Sequence, residues 1–241
     1  MLLIVLASLI CASVASPLAN VNDVDDLYDQ YAIKARNAAS KVHPLVLSRT
    51  SQREIVAGDV SDADLEALFE SARWAPSGMN IQPWRFIWAR KGSKEWQTWF
   101  DLMDEGNKVW AVNASVLIFQ ITPKYELYHD KITANPWSEL DSGSAYVSLH
   151  YEACGRGLVA HAIAGLDIEK SYGVLGITKK SHTVLQIIAV GRAPDAQHRK
   201  APELIQPRHL TKEFVFKEKF INKDPVPPSD AVIETLTYNS I

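Results

Sequence analysis

The order of apolar and polar positions predicts a chain in which helices alternate with strands. Between Leu65 and Ala72, apolar side chains recur three or four residues apart, as they do on one face of a helix. Ser61, with Asp64 three residues later, is typical of a capping box that opens a helix, and Pro76 ends the segment. Apolar runs of strand length follow at residues 84–89, 115–121 and 182–190.

The periodicity is less clear in two segments, residues 122–137 and residues 140–154. Residues 122–137 contain Pro123 and Pro136 and are interpreted as a loop. Residues 140–154 fit both the two-residue period of a strand and one face of a helix, and their length favours the helix. We therefore expect a long helix after the loop.

Two glycines follow this helix, and either Gly155 or Gly157 is expected to cap its C-terminus. Residues 155–160 also match the dinucleotide-binding pattern G-x-G-x-x-A. In that pattern the glycines follow a strand and begin a helix, whereas here they follow a predicted helix. We therefore interpret them as a helix terminus.

Composition favours a single domain and excludes several classes of function. With 241 residues and 47% hydrophobic content, the chain can bury one sizeable core. The net charge of -3 is small and the basic residues are dispersed, so no nucleic-acid partner is expected. The sequence contains neither the G-x-S-x-G motif of α/β-hydrolases nor a Walker loop.

The N-terminal segment differs from the rest of the chain. Residues 1–15 are almost continuously apolar and uncharged, with Ser13 and Ala15 at the positions of a small-x-small cleavage site. The run is shorter than the ~20 residues of a membrane span, and Pro17 closes it. We therefore expect a secretory signal peptide, a secreted or lumenal location and no stable membrane insertion. The alternative is a cytoplasmic protein whose leader does not function.

Cysteine usage predicts neither a disulfide nor a metal site. Cys11 lies within the predicted leader, which leaves Cys154 without a partner in the mature chain. His150 and His161 flank Cys154, but no second cysteine or acidic ligand occurs at a suitable spacing.

A polar loop lies between the helix that ends at Pro76 and the strand at residues 84–89. Ser77 and Asn80 offer donors and acceptors, and Gly78 permits backbone conformations closed to other residues. Such a loop is typical both of a simple connector and of a ligand site.

Two basic segments lie far apart in the chain. Residues 48–53 combine Arg49 and Arg53 with hydroxyl side chains, and Arg208 follows Pro207. A phosphate monoester favours arginines from separate segments, supplemented by Ser or Thr hydroxyls. Each segment taken alone also fits a solvated charged surface.

These motifs resemble those of the FMN-dependent nitroreductase family, in the family's order, over about residues 45–220. Residues 49–53, RTSQR, are similar to the R-x-S-x-R/K motif that grips the FMN phosphate and the pyrimidine side of the ring. Residues 76–84, PSGMNIQPW, match the P-S-x-x-N-x-Q-P-W loop that covers the flavin from the partner subunit. Pro207-Arg208 and residues 213–216 resemble the closing P-R…E-F-V-F, whose arginine reaches the phosphate.

Three weaker matches support the resemblance. Asn107 falls where the family often has a flavin-contacting asparagine, and residues 141–143, DSG, resemble the start of its central dimer helix. Residues 157–167 are similar to GLxxHQMxGFD of a bacterial subgroup, which places the Ala164-Gly165 turn beside flavin N5. Within this stretch, departures from the subgroup at residues 162–164 lie where substrates would stack, so they bear on substrate range more than on FMN binding.

The resemblance implies an α+β nitroreductase fold, a three-layer α/β/α sandwich with a mixed, mainly antiparallel central sheet, in an intertwined homodimer. It implies a ping-pong reaction in which NAD(P)H reduces FMN and a nitroaromatic, a quinone or an activated alkene is reduced in turn. No catalytic side chain is required, because the chemistry belongs to the flavin. The implied cofactor contacts are Arg49, Thr50, Ser51, Arg53, Pro76, Ser77, Asn80, Asn107, Asp141, Ile163, Ala164, Gly165 and Arg208.

The predicted organisation is a signal peptide at 1–15, a helical lead-in at 16–44, an FMN-binding domain at 45–220 and a tail at 221–241. Two alternative functions stay open. A specialised dehalogenase or flavin-dependent oxidase on this fold would need a substrate lid between residues 122 and 140, and the sequence does not identify one. A non-catalytic flavin-binding or storage protein is compatible with the leader.

Overall fold

The computed structural model describes residues 30–36, 38–56, 58–194, 206–221 and 224. The predicted leader at 1–15 lies outside these ranges, as do residues 16–29 of the lead-in and 225–241 of the tail. Within them, no helix is both long enough and apolar enough to cross a membrane.

Helices and strands alternate along the described chain. In order they are α1 (Gln30–Arg36), α2 (Pro44–Ser48), α3 (Asp62–Arg73), β1 (Arg85–Arg90), α4 (Lys94–Asp101), α5 (Glu105–Ala111), β2 (Val116–Pro123), β3 (Tyr125–Tyr128), β4 (Lys131–Ala134), α6 (Ser138–Gly155), β5 (Leu158–Ile163), α7 (Ile168–Leu175), β6 (His182–Arg192) and α8 (Thr211–Phe214). A single 3-10 turn, Gly78–Asn80, lies between α3 and β1.

Four strands form the central sheet in the order β1-β2-β6-β5, and every ladder between them is antiparallel. The central strands β2 and β6 are the near-continuous apolar runs identified in the sequence. The three predicted strands are confirmed as β1, β2 and β6, with ends that agree to within two residues. A mixed sheet contains at least one pair of parallel strands. The described part of this sheet contains antiparallel pairs and no parallel pair.

Helices cover both faces of this sheet because the side chains of β2 alternate. Leu117 and Phe119 pack towards α4 and α5, whereas Val116 and Ile118 pack towards α3 and α6. Each face buries its own apolar cluster, since successive side chains of a strand point to opposite sides. The three-layer α/β/α sandwich is therefore confirmed.

Local signals at helix ends are also confirmed. Ser61 Oγ accepts a hydrogen bond from the backbone N–H of Asp64 at 3.0 Å, and the Asp64 carboxylate accepts one from Ser61 N–H at 3.3 Å. The ambiguous stretch at 140–154 is helical and belongs to α6, after which Gly157 adopts a left-handed φ of 66°. The glycines of the dinucleotide-like pattern thus follow a helix and precede β5, so they end a helix as interpreted.

The prediction of a loop at residues 122–137 is wrong. After β2, the chain forms a hairpin of β3 and β4, joined by His129 and Asp130 with positive φ values of 48° and 58°. Two successive left-handed residues match the twist of the flanking strands. The ribbon lies outside the core, since Leu127 is 71% exposed and Ile132 is 82% exposed.

Candidate functional site

The backbone of residues 49–53, directly after α2, is fixed by two histidines. His150 on α6 donates from Nε2 to the carbonyl oxygen of Thr50 at 3.2 Å. His161 on β5 donates from Nδ1 to the carbonyl oxygen of Gln52 at 2.9 Å, and its ring packs 4.5 Å from that of Trp110. A carbonyl can only accept, so each bonded ring nitrogen carries a proton.

Both imidazoles are neutral at pH 7. Burial, with a smaller contribution from the positive charge of Arg49, lowers the pKa of His150 to about 3. Burial is also the main cause that lowers the pKa of His161, and the charges of Arg53 and Arg49 act in the same direction. The two rings therefore bind the segment as neutral donors.

The depressed pKa of His150 gives a testable pH dependence. The unfolded chain takes up a proton near pH 6.5, while the folded chain does not until about pH 3, so folding is penalised as the pH falls between these values. At pH 5 the loss due to His150 is expected to be about 2 kcal/mol. Urea unfolding at pH 7 and pH 5 measures this loss.

The control for this measurement comes from a second histidine. His150→Gln is expected to lose about 2 kcal/mol less than the wild type between pH 7 and pH 5. His209→Gln removes a side chain that is 86% exposed and forms only a surface ion pair with Glu213 among the described residues, so it is expected to change the wild-type dependence little. Equal pH dependence in all three proteins would contradict the assignment.

Arg49 and Arg208, distant in the sequence, share a neighbour in the structure. Burial lowers the pKa of Arg36, and the positive charges of Arg49 and Arg208 lower it further, so both guanidinium groups act on this one side chain. Arg49 also donates from Nη1 to Ser51 Oγ at 3.4 Å. The two basic segments identified in the sequence therefore face the same region.

The loop that follows α3 is held by Asp141, a residue of α6 that is only 6% exposed. One carboxylate oxygen, Oδ2, accepts hydrogen bonds from Ser77 Oγ and from Gly78 N–H, each at 3.0 Å. Ser77 Oγ in turn accepts a bond from Gln82 N–H at 2.8 Å. Asp141 was expected to contact the cofactor, but in the described chain it binds the loop.

Backbone strain is concentrated in the same loop. Met79, Asn80 and Gln82 have positive φ values of 49°, 56° and 55°. Residues other than glycine rarely adopt a positive φ. Such a backbone conformation persists only where the surrounding structure holds it. Strain of this kind clusters at ligand sites, which makes the loop a binding candidate.

A carboxyl group from the hairpin, that of Glu126, lies near Asp141, the residue that holds the loop. Glu126 Oε2 is buried and has no hydrogen-bond partner within the described residues. Burial raises the pKa of Glu126, and the negative charge of Asp141 raises it further. The hairpin therefore approaches the N-terminal part of α6.

The turn after β5 packs closely on α5. Asn107 Nδ2 and the N–H of Asp104 donate to the carbonyl oxygen of Gly165, at 3.3 Å and 3.0 Å. A Cβ at Gly165 would lie 2.6 Å from Asn107 Nδ2 and 2.6 Å from Asp104 Oδ2, so the ends of both side chains would have to move to accommodate it. The sequence attributed this glycine to the approach of a flat ring. In this structure its close neighbours are the side chains of Asp104, which directly precedes α5, and of Asn107 on α5.

The predicted contacts fall into three groups. They are the basic group (Arg49, Thr50, Ser51, Arg53, Arg208), the loop group (Pro76, Ser77, Asn80, Asp141) and the turn group (Asn107, Ile163, Ala164, Gly165). Through β5 the basic and turn groups adjoin, because His161 binds Gln52 and Ile163 lies two residues further on. The Ile163 side chain is 2% exposed and belongs to the core, so a ligand contact there would use the backbone.

The loop group stands apart from the other two within one chain. It is attached to α6 at Asp141, whereas the basic segment is attached to the same helix at His150. Nine residues of α-helix separate these anchors, roughly 13 Å along the axis. The structure thus connects the loop and the basic segment through one rigid helix, but it does not bring them into contact.

Sequence reasoning missed the backbone contacts of His150 and His161 and the position of Arg36 beside α2. His150 was considered only as a metal ligand, and His161 as a metal ligand and as part of the match at residues 157–167. Their partners are backbone carbonyls, which leave no trace in a motif. Arg36 was counted within the helical lead-in and given no role. The only sequence signal for Arg36 is that it is an arginine that lies a short distance before the basic segment at residues 48–53.

Comparison with known proteins identifies relatives that share this architecture. The model of the nitroreductase family matches residues 46–109. A solved structure described as an oxidoreductase containing FMN is 30% identical and covers 78% of this chain and 97% of its own, with a TM-score of 0.71. A protein from Desulfovibrio desulfuricans, solved in complex with FMN, is 20% identical and covers 75% of this chain and 100% of its own, with a TM-score of 0.59.

Two other relatives extend this comparison. A nitroreductase family protein from Clostridium difficile 630 is 20% identical and covers 73% of this chain and 97% of its own, with a TM-score of 0.56. An uncharacterized 15.4 kDa protein from Mycolicibacterium smegmatis is 37% identical over 103 residues, which cover 37% of this chain and 65% of that protein, just under two thirds. With the family model matched and 30% identity across almost a whole solved relative, this chain belongs to the nitroreductase family.

Proposed function

We propose that this chain is an FMN-dependent oxidoreductase that takes electrons from NAD(P)H by a ping-pong mechanism and reduces nitroaromatics, quinones or activated alkenes. The observation that carries the proposal is the convergence of Arg49 and Arg208 on Arg36. A dianionic phosphate is the ligand that grouped guanidinium groups favour. FMN in two similar solved structures supports the flavin as the carrier of that phosphate.

The turn at Gly165 offers an independent test of whether FMN fits. Gly165 is buried, and none of the described residues accepts a hydrogen bond from its backbone N–H. Buried backbone N–H groups are almost always paired, so this donor is available to a ligand atom. A flavin ring nitrogen is an acceptor of the required kind.

When bound, FMN supplies the hydride and electron transfer. The chain binds and orients the cofactor: Arg49 and Arg208 balance the phosphate charge, and the N–H of Gly165 donates to the ring. His150 and His161 hold the backbone of the basic segment in place. None of these roles requires a side chain that gains or loses a proton during the reaction.

We further propose that the protein acts as a homodimer through α6. Along this helix, Leu140, Gly143, Ser144 and Val147 recur at the spacing of one face, and Leu140 is 70% exposed. A helix face of small residues flanked by exposed apolar side chains, here Leu140 and Val147, is typical of an interface. Two copies of the stripe can cover each other about a two-fold axis.

Such a dimer would unite the loop group with the basic group. A two-fold axis perpendicular to α6 pairs the two helices antiparallel, so the Asp141 end of one faces the His150 end of the other. The loop of one subunit then approaches the basic segment of its partner, as the resemblance implies. The separation of roughly 13 Å along α6 within one chain is therefore expected in such an arrangement.

Anaerobic mixing of the purified protein with NADH or NADPH tests the proposed reaction. Rapid loss of the yellow flavin absorbance is expected, followed by its return when a quinone or a nitroaromatic is added. The Arg49→Ala, Arg208→Ala double variant with the same concentration of free FMN is the control, and slow bleaching is expected there. A bound flavin that stays oxidised with both nucleotides would contradict the reductase proposal.

The hairpin favours a second candidate function, a dehalogenase or oxidase with a covered substrate site. It fills part of the interval between residues 122 and 140, where such an enzyme requires a lid. Leu127 and Ile132 present exposed apolar surface that could lie against a substrate or a partner subunit. The anaerobic experiment separates the candidates, because flavin that NAD(P)H does not bleach favours the second one.

A further inference from the structure

Arg36 occupies a defined position at the end of α1. Its Nη1 donates to the carbonyl oxygen of Val46 at 3.2 Å, so its side chain is tied to α2. Arg49 follows α2 directly, and its backbone N–H donates to Leu45 in the same helix. The contact therefore places the Arg36 guanidinium beside the start of the basic segment.

Positive charges lie near one another at this position. Arg36 is half-buried, and the charges of Arg49 and Arg208 act on it in the same direction as burial, lowering its pKa. No carboxylate in the described ranges forms an ion pair with any of these three arginines. Arg36 and Arg49 are half-buried and Arg208 is exposed, and like charges near one another without a carboxylate partner repel.

The hydrogen bond to Val46 leaves most of the guanidinium unused. An arginine carries several N–H donors in a fixed fork, and one carbonyl engages only one of them. Among the described residues, Arg208 shows the same pattern, since its Nη1 donates to the nearby carbonyls of Gln206 and Pro207. Within the described part of the chain, α1 and the C-terminal segment therefore each offer guanidinium donors that no other described residue engages.

We propose that Arg36 is a third phosphate-binding arginine of the flavin site, supplied by α1. This inference rests on the proposed function. Helix α1 precedes residues 46–109, which the nitroreductase family model matches, so the third cation comes from outside that segment. Three guanidinium groups around one dianion make the site more selective for the phosphorylated flavin than two would.

Flavin titrations of Arg36→Gln and a matched control test the assignment. Arg36→Gln is expected to bind FMN about tenfold more weakly than the wild type, with an unchanged affinity for riboflavin. Lys34→Gln removes an exposed charge from the same last turn of α1 and is expected to change neither affinity. Arg36→Lys keeps the charge but not the fork, so an intermediate loss for FMN is expected.

Each outcome decides between distinct explanations. If Arg36→Gln binds FMN as the wild type does, Arg36 does not contact the phosphate and the inference is overturned, while the proposed function stands. Equal losses for FMN and riboflavin would show a structural role through Val46 and would also overturn it. A wild type that does not prefer FMN over riboflavin would overturn both the inference and the proposed cofactor.

A second measurement uses only the wild-type protein, in case Arg36→Gln does not fold. Helix α1 has seven residues, too few for a stable helix without tertiary contacts. FMN is expected to slow amide hydrogen exchange in residues 30–36 more than riboflavin does, because only FMN engages Arg36. Equal protection by the two flavins would overturn the inference.

Discussion

Replacement of Arg49 or Arg208 by alanine is expected to weaken FMN binding by about one to two orders of magnitude and to leave riboflavin binding almost unchanged. A charge-assisted hydrogen bond contributes about 1.5–3 kcal/mol, and about 1.4 kcal/mol corresponds to a tenfold change in affinity. The charges of both guanidinium groups lower the pKa of Arg36, so both lie near this residue, as a shared phosphate would require. The double variant is expected to lose less than the sum, since the two side chains share this ligand.

Fluorescence titration of the two flavins measures these affinities. Arg73→Ala is a suitable control, because Arg73 forms an ion pair with Glu70 on α3, away from the basic segment. An alanine variant of Arg49 or Arg208 that keeps wild-type FMN affinity would place that arginine outside the site. Losses of similar size for both flavins would indicate general destabilisation instead of a lost phosphate contact.

The sequence predicts those parts of the fold that depend only on residues close together in the chain. The capping box at Ser61 and the long helix α6 are encoded within a few residues, and the buried strands β2 and β6 are continuous apolar runs. The order of strands in the sheet depends on contacts between distant segments, which periodicity does not encode. Only the family resemblance supplied the three-layer arrangement in advance.

The hairpin was missed for two physical reasons. Each of its strands has four residues, too short for a reliable two-residue period, and two prolines bracket the segment as they would a loop. Its turn uses His129 and Asp130 in the left-handed region, where glycine or asparagine would have been an easier signal. The residue types of this turn therefore did not indicate a turn in the sequence.

At the candidate site, the sequence identified residues better than their contacts. The motifs selected Asp141 and Gly165 as cofactor contacts, which stay predictions, and the structure adds that Asp141 binds the loop and that Gly165 packs against Asp104 and Asn107. The backbone anchors His150 and His161 depend on pairs about a hundred residues apart, which no local pattern reveals. The predicted leader and the location of the protein stay predictions.

The second large effect is expected at Asp141, whose replacement by alanine should lower the free energy of unfolding by about 2–4 kcal/mol. The substitution removes the shared acceptor of Ser77 Oγ and Gly78 N–H inside the fold. It also releases the link through Ser77 to Gln82, which helps to hold the strained backbone of the loop. The loop should then relax and cover a flavin less well.

Urea unfolding of the flavin-free protein measures the first effect, and FMN titration measures the second. Asp141→Asn retains a side-chain oxygen that can accept both bonds, so its loss should be much smaller than that of Asp141→Ala. Glu139→Ala serves as the control, because Glu139 is exposed on the same helix and bonds only Thr183 among the described residues. If Asp141→Ala unfolds at the wild-type urea concentration, its carboxylate does not hold the loop. If it unfolds early but binds FMN normally, the loop is not needed to cover the flavin.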